Sequence, residues 1–543
     1  MTIREELIVA IREATSSGVP FVVEYQEDQT KGHYSTNAAL TAGKSLGKNP
    51  REVAETLAGD LKHSLGALVE RVEIAGPGFL NIFLNTTALA TRVSEYSFVP
   101  RTLSHPEKIL LEYVSANPTG PLTIGNGRGG FLGDTLARIY TFVGHTAERE
   151  FYINDTGRQI NILGASILTG TDGYASPNYP SEELYQGAYI KDLRALYIEG
   201  GGSVQSESPE ETVGRWAAEQ MMEQNKTALT SFSISHDRFI SERDDLKDAQ
   251  YQEVYEWFSK AGLLHEKDGA IWYGRTEPER VLVRSDGNEN VRTLVIDGKK
   301  VRRSVTYLFS DIVYHYDKLV TRAYDRCINI LGADHHGYIS ALMRALEDAK
   351  LPIEKLTVLI TQLVRIVENG VEVKVSKRKG SIITLGDLVE DVGVDVARWF
   401  FLSRSIDTHM DFNLTLAREK SKNNPVYYVQ YAHARAAAIL TKAQGQHTSG
   451  DITALTSESE TKLVRRILQL DEVLADTLKN LGAQRLTQYT YELARDFTTF
   501  YETDRVIGDD TVLTASRLRL VAITKTALAT ALGLMGISTP EKM

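Results

Sequence analysis

At 543 residues the chain is long enough for several domains, and its 42% apolar content is ordinary for a globular protein. The single cysteine, Cys327, excludes disulfides within the chain and cysteine-based zinc sites, and no apolar run reaches the roughly 18 residues of a membrane span. The formal net charge of −10 argues against an indiscriminate nucleic-acid binder, although local basic patches remain open.

The opening MTIREELIVAIREA carries charges through its apolar pattern, so it reads as an amphipathic helix and not as a signal peptide. With the lone cysteine, that points to a reducing cytoplasm. Residues 1–104 look like a separate α+β module. Asn49-Pro50 precedes Val53, Ala54, Leu57, Ala58 and Leu61 at helical spacing, and Val72–Leu84 reads as two strands around a Gly-Pro-Gly turn. From sequence pattern alone, a dimerisation or packing module is an equal reading.

Ile109-Leu110-Leu111, running on through Glu112-Tyr113-Val114, reads as a buried strand of a parallel sheet. A loop of Asn, Pro, Thr and Gly follows. Phe131, Leu132, Leu136, Ile139, Tyr140 and Val143 then mark a helix with Gly144 as its C-cap. Strand, glycine loop and helix make a phosphate site possible, because a helix N-terminus offers free N–H groups and partial positive charge. Gly125, Gly127, Gly129 and Gly130 are expected to let a ligand approach the backbone; a plain structural loop is the competing reading.

Glu148–Ile153 is a second strand, and Asp155 or Thr156 caps the helix after it. Residues 166–280 look like an insertion, helical at 208–232 and 244–262, with no catalytic constellation. Val281-Leu282-Val283 is expected to resume the central sheet. The Asp297-Gly298 turn predicts a hairpin within 288–304 carrying Arg292, Lys299, Lys300, Arg302 and Arg303, either solvated or contacting phosphate. A helix begins at Thr306–Asp311, and the strand Ile328–Leu331 ends in Gly332-Ala333-Asp334-His335-His336-Gly337. Leu356–Val367 is apolar, and an Asn369-Gly370 turn leads into Val373–Gly380, where Lys374, Lys377, Arg378 and Lys379 surround Ser376. From 406 to 543 the pattern is helical, near 417–445, 458–481, 483–503 and 513–535, and implies a bundle.

The lysine run, taken with EYVSANPTGPL and KVSKRKGSIITLGDLVEDVGVDVARWFF, resembles the paired phosphate-binding signatures of class I aminoacyl-tRNA synthetases, and of arginyl-tRNA synthetases in particular. HYSTNAAL, LGKNPREVAE and AGPGFLNIFL are similar to that family's N-terminal domain. NPVYYVQYAHARAAAIL, DFTTFYETDRV and the terminal GISTPEKM are similar to its anticodon-binding domain. The resemblance implies a Rossmann-like α/β catalytic domain at 105–405, flanked by an α+β domain at 1–104 that meets the tRNA elbow and a helical anticodon-binding domain at 406–543. It implies a cytoplasmic, monomeric ligase that uses ATP, with Mg2+ carried by the nucleotide and not by a protein-only site, to join L-arginine to tRNA(Arg) without a membrane partner.

The guanidinium of arginine presents five N–H donors in a fork, so paired carboxylates are its complement. The resemblance puts Glu112, Tyr307 and Asp311 around that group, and Ser115, Asn117 and His335 at the amino and carboxylate ends. For ATP it implies Gly125, Gly332, Asp334 and His336, with Lys374, Ser376, Lys377 and Arg378 on the phosphates. For tRNA it implies Phe79, Asn81 and Phe83 at the elbow, and Tyr428, Tyr431, Tyr501 and Met543 at the anticodon loop. Sheet alternation and bundle packing offer core roles for several of these aromatics.

One motif departs from the family pattern. Where the family writes His-x-Gly-His, this chain has Thr123-Ile124-Gly125-Asn126. Thr123 and Asn126, expected beside Lys374 and Lys377 as the catalytic groups, can donate hydrogen bonds but cannot carry charge. One lost transition-state donor costs roughly 3 kcal/mol. The first reading is a slow or tRNA-dependent enzyme. The second is a paralogue that binds arginine or tRNA, or arginylates another acceptor. The third, a nucleotidyltransferase without a tRNA role, is opposed by the Tyr-rich helical C-terminus.

Overall fold

The computed structural model describes the chain except residues 16–17, 27, 172, 203–207, 275–277, 288, 334–335, 374–383 and 444–448, together with the side chain of His336. The N-terminal module pairs an antiparallel sheet with helices. Its strands run in the order Val23–Tyr25, Tyr34–Thr36, Phe79–Leu84, Val69–Ala75. Leu80, Ile82 and Leu84 alternate onto one face, where they join Leu7, Ile11, Leu57 and Leu61 in the core.

The central domain is built on five parallel strands. Numbered along the chain as Lys108–Glu112, Thr146–Ile153, Arg238–Ser241, Arg326–Gly332 and Leu356–Thr361, they lie in the order 3-2-1-4-5. This is the Rossmann order. Its crevice opens between the first and fourth strands, where the crossover direction reverses. Ile109, Leu110, Leu111, Cys327 and Ile328 are fully buried, as expected of strands covered on both faces.

Two expectations for this region are corrected. The segment read as an insertion, 166–280, contains Arg238–Ser241, the edge strand that pairs in parallel with Thr146–Ile153. Val281-Leu282-Val283 does not resume the central sheet; Arg280–Val283 belongs to a separate antiparallel sheet with Ala270–Tyr273 and Leu264–Lys267. A four-residue strand is too short to show a period, and three apolar residues fit either kind of sheet.

The two predicted turns form as hairpins. Asp297 and Gly298 take φ of 49° and 74° between Val291–Ile296 and Lys299–Ser304. Asn369 and Gly370 take 51° and 76° between Val364–Glu368 and Val371–Glu372. Positive φ at both central residues is the geometry whose twist matches paired strands.

The C-terminal bundle comprises helices Pro425–Lys442, Glu458–Leu468, Leu470–Asn480, Gln484–Thr503 and Thr511–Leu534, so the stretch expected as one helix at 458–481 is broken at Gln469. The N-terminal module docks on the bundle through Tyr34, which donates to Glu472 at 2.7 Å, and Arg4, which donates to Asp476 at 2.7 Å. The bundle is in turn fastened to the central domain by the wholly buried Arg398. Its guanidinium bonds Asp134 at 2.7 Å, Ser233 O at 2.9 Å and Met535 O at 2.5 Å. Among the described residues no helix is long and apolar enough to cross a membrane.

Candidate active site

Glu112 ends the first central strand at the mouth of the crevice and is buried. The backbone then turns sharply, with Val114 at φ 69° and Ser115 at φ 36°. A β-branched residue in the left-handed region is strained, and the strain brings Ser115 back over the strand end. There Ser115 Oγ donates to Glu112 Oε1 at 2.9 Å and accepts from the Tyr152 N–H at 3.1 Å. Asn117 is exposed further along the same loop.

The other Glu112 oxygen pairs with the ammonium of Lys318, itself wholly buried. Lys318 also donates to Asn329 Oδ1 at 3.2 Å and lies 3.9 Å from the centre of the Tyr314 ring. Asn329 Nδ2 is 2.9 Å from His315 Nε2, and His315 Nδ1 is 2.7 Å from the main-chain oxygen of Asp311. Those partners require His315 neutral, with its proton on Nδ1. Burial and the neighbouring Lys318 agree, pushing its pKa down to about 3. A continuous polar network thus ties the strand carrying Glu112 to the helix carrying Asp311.

Asp311 lies one turn after Tyr307 in the helix Tyr307–Tyr316 and accepts a 2.6 Å hydrogen bond from Tyr338. Tyr338 and Tyr307 sit ring to ring, 5.1 Å apart, over the carboxylate. Burial pushes the Asp311 carboxyl up to about 8, and the negative charges of Glu242 and Glu112 add to the rise. Glu112 and Asp311 therefore share one interior cluster.

The third acid, Glu242, was missed by sequence reasoning. It follows the edge strand Arg238–Ser241 directly, which puts it at the carboxyl end of a parallel strand, where ligands bind in such sheets. The short alternating run Arg-Phe-Ile-Ser before an acid was the only sequence signal. Glu242 is buried, and burial raises its pKa. Asn290 donates to its Oε1 at 2.7 Å. The Tyr152 hydroxyl faces it without closing a hydrogen bond of good geometry, so Glu242 Oε2 and Tyr152 Oη are buried polar atoms without a partner. Among the described residues, Lys318 pairs with Glu112 alone, and neither Asp311 nor Glu242 has an ion-pair partner. Unpaired buried carboxylates are costly, and a cation between these two would offset that cost.

The phosphate side is assembled differently. Gly125 is exposed in the first turn of the helix Ile124–Phe142, and a side chain there would meet only Thr123 Oγ1, at 3.7 Å. Gly127, Gly129 and Gly130 are buried and do not face a ligand, contrary to expectation. A Cβ on Gly127 would lie 2.6 Å from Leu385 Cδ1, and one on Gly130 would lie 2.9 Å from Ile234 Cδ1. These glycines let the helix pack closely on its neighbours. Thr123 and Asn126 bond each other: Asn126 Oδ1 accepts from both the Thr123 N–H and its hydroxyl, each at 2.8 Å. The motif is thus a helix cap, leaving the Asn126 amide N–H groups as its side-chain donors.

Lys374, Ser376, Lys377 and Arg378 lie outside the described residues, as do Asp334, His335 and the side chain of His336. The ends of the lysine segment are described. Val373 N donates to Ile366 O at 2.9 Å, and Thr384 forms an antiparallel bridge with Thr123, supported by Leu385 N to Leu122 O at 2.9 Å. Thr384 and Leu385, which follow residues 374–383, therefore lie beside the glycine turn. Gly332 ends the fourth strand, next to the first.

The candidate tRNA residues divide. Phe79 is exposed and Asn81 half-buried on the outer face of the N-terminal sheet, but Phe83 is buried beneath Arg71, whose guanidinium lies 3.5 Å from the ring centre. In the bundle, Tyr431 and Tyr501 are exposed on either side of Arg435, which bonds both hydroxyls. Tyr428 is half-buried against Tyr491, with ring centres 5.2 Å apart, and Met543 is exposed. Arg435 and Tyr491 were not singled out from sequence, since one arginine or tyrosine in a helix carries no pattern.

Three family models match the chain in succession: "Arginyl tRNA synthetase N terminal domain" over residues 1–84, "tRNA synthetases class I (R), catalytic domain" over 91–401 and "DALR anticodon binding domain" over 429–543. The arginine–tRNA ligase of Symbiobacterium thermophilum is 36% identical over 566 aligned residues, covering 100% of this chain and 98% of that protein. The Staphylococcus aureus arginine–tRNA ligase is 35% identical with the same coverage. In fold, the chain is similar to the arginyl-tRNA synthetase of Thermus thermophilus (TM-score 0.77, 22% identity, 100% of each chain) and to that of Plasmodium falciparum (TM-score 0.74, 18% identity, 100% of this chain and 98% of that one).

Proposed function

The chain belongs to the arginyl-tRNA synthetases, and from that premise we propose how its own residues carry out the ATP-dependent ligation of arginine to tRNA. The guanidinium enters between Asp311 and Glu242, with Tyr338, Tyr307 and Tyr152 enclosing it. Glu112, held by Lys318 and Ser115, closes the pocket from the strand side. The observation that carries this reading is the set of three buried carboxylates, only one of which has an ion-pair partner among the described residues. Lysine cannot fill a two-sided acidic cleft with one ammonium, so it leaves a carboxylate unpaired and is rejected. Asn117 and His335 take the amino and carboxylate ends of the substrate.

ATP lies over Gly125 and the N-terminus of its helix, with the adenosine toward Gly332, Asp334 and His336. Lys374, Ser376, Lys377 and Arg378 close on the phosphates, a position supported by the Thr123–Thr384 bridge. Mg2+, if carried in by ATP, would supply charge neutralisation at the phosphates. The arginine carboxylate oxygen attacks the α-phosphorus, the bond to the bridging oxygen breaks, and pyrophosphate leaves. Positioning and charge neutralisation dominate such a transfer. The 2′-hydroxyl of the terminal adenosine of tRNA(Arg) then attacks the activated carbonyl, and AMP leaves. Phe79 and Asn81 serve the tRNA elbow, and Tyr428, Tyr431, Tyr501 and Met543 serve the anticodon loop. The enzyme works as a monomer in the cytoplasm. Nothing in the acidic pocket favours the paralogue reading.

Pyrophosphate exchange, run with arginine or lysine and with or without tRNA, tests the assignment. Exchange is expected with arginine, strengthened by tRNA, and absent with lysine. Equal exchange with lysine would remove the role given to Asp311 and Glu242.

A further inference from the structure

The hairpin at 291–304 joins the substrate pocket to a basic surface. Its root is wired to Glu242. Asn290, at φ 47°, donates to Glu242 Oε1 at 2.7 Å and to Ser310 Oγ at 3.2 Å. Arg292, expected on the surface with the other basic residues, is buried instead. It donates to the main-chain oxygens of Glu242 at 2.6 Å and Leu246 at 2.8 Å, and its guanidinium lies 4.6 Å from the centre of the Tyr251 ring. Arg303 is also committed, bonding Ser285 O at 2.8 Å and Gly269 O at 2.9 Å. Arg292 and Leu294 share the inner face, which packs against the helix Asp248–Lys260.

The outer face is free. Lys300 pairs across the hairpin with Val295, and Arg302 with Thr293, so both project from the same side, and Lys299 stands at the tip. All three cations are exposed, and none has an ion pair with a described residue. Arg302 also lines a cavity of about 500 Å3 of mixed charge, together with Asp155, Glu211, Arg215, Arg243 and Asn290. Through Asn290 that cavity adjoins Glu242.

We propose that the hairpin binds phosphates of the tRNA acceptor strand through Lys299, Lys300 and Arg302, while its root holds Glu242 in place. The partner is chosen by chemistry and position. Three unpaired cations on a chain of net charge −10 attract a polyanion, and the polyanion whose reacting end must reach the arginine carboxylate is tRNA. The inference rests on the functional reading above but is tested without catalysis.

Binding of tRNA to the full-length protein is measured by filter retention across a salt series, for wild type and for Lys299→Glu/Lys300→Glu/Arg302→Glu. The triple variant is expected to bind at least about tenfold more weakly at low salt, and its plot of log affinity against log salt is expected to be shallower by about 2, the slope lost with three phosphate contacts. The neutral variant with glutamine at all three positions should show the same shallower slope with a smaller loss of affinity. An isolated anticodon stem-loop should bind wild type and variant alike. Unchanged slope and affinity for whole tRNA, or an equal loss for the stem-loop, would overturn the proposal. If wild type binds tRNA but shows no arginine-dependent exchange, the functional reading fails while the slope still decides the hairpin's role.

Discussion

The two ends of the proposed active site are built by opposite means. The arginine end is interior: Glu112, Asp311, Glu242, Lys318 and His315 are all buried, and each is fixed by named partners. The proposed phosphate end is a surface, with exposed Gly125, a Thr123–Asn126 cap and Thr384 bridged to Thr123 beside them. The difference follows from charge and dielectric. A cation fork is recognised by buried carboxylates only if they are kept from collapsing onto other partners, which takes a rigid polar network. Phosphate oxygens are met by main-chain N–H groups and mobile ammonium groups, so single side chains there can be exchanged at less structural cost. On the proposed assignment, that is why the same chain can keep its acidic cluster and still replace both histidines of the family motif.

Several measurements would break or sharpen that contrast. The largest effect is expected from Asp311→Ala, which should lower arginine-dependent exchange by more than about a thousandfold, or roughly 4 kcal/mol, with ATP affinity little changed. Near-normal exchange would show that the interior end is not the recognition element. Next comes Lys318→Met, which strands Glu112 without its counter-ion. A buried partner left alone costs about 3–5 kcal/mol, read as a fall in thermal midpoint; restoring the pair's balance with Glu112→Gln in the same chain should recover part of it.

Glycine substitutions separate the two ends more finely. Gly127→Ala drives a methyl group into Leu385 and is expected to cost about 1–3 kcal/mol in stability, whereas Gly125→Ala should fold normally and raise the KM for ATP. A stability loss at Gly125 and none at Gly127 would reverse the assignment of these faces.

The pH dependence gives a smaller effect, about tenfold in arginine KM. In the empty pocket Asp311 is protonated below its pKa of about 8, and a guanidinium requires the ionised form, so KM should fall as pH rises through that value. The same group acts on stability with a defined sign. Its folded pKa is above the unfolded one, so the folded state holds the proton longer, and its contribution to stability declines between about pH 4 and pH 8 and is then flat. The smallest effect is expected from Asn126→Ala, which removes the acceptor of the helix cap and should cost about 1 kcal/mol. A larger loss in kcat than in stability would show that its remaining amide donors act on phosphate.

Local pattern was enough for the elements whose signals are short-range. The buried strand before Glu112, the Asp297-Gly298 and Asn369-Gly370 turns and most bundle helices follow from apolar spacing and turn chemistry, and the quoted motifs carried the family resemblance. Phe83 and Arg292 show where this stops. Each was read as an exposed contact, and each is buried by neighbours brought in from other elements: Arg71 over Phe83, and Tyr251 with the segment after Glu242 around Arg292.

By itself, then, the sequence determined the class of fold, the order of its modules and two of the three acids, because period, turn residues and contiguous motifs are properties of neighbours along the chain. Only the tertiary structure decided which carboxylate is already neutralised, that Glu242 joins the cluster, and which glycines stay exposed. Those depend on pairings such as Lys318 with Glu112, 206 positions apart, and on Cβ clearances between packed elements, neither of which leaves a periodic trace in the chain.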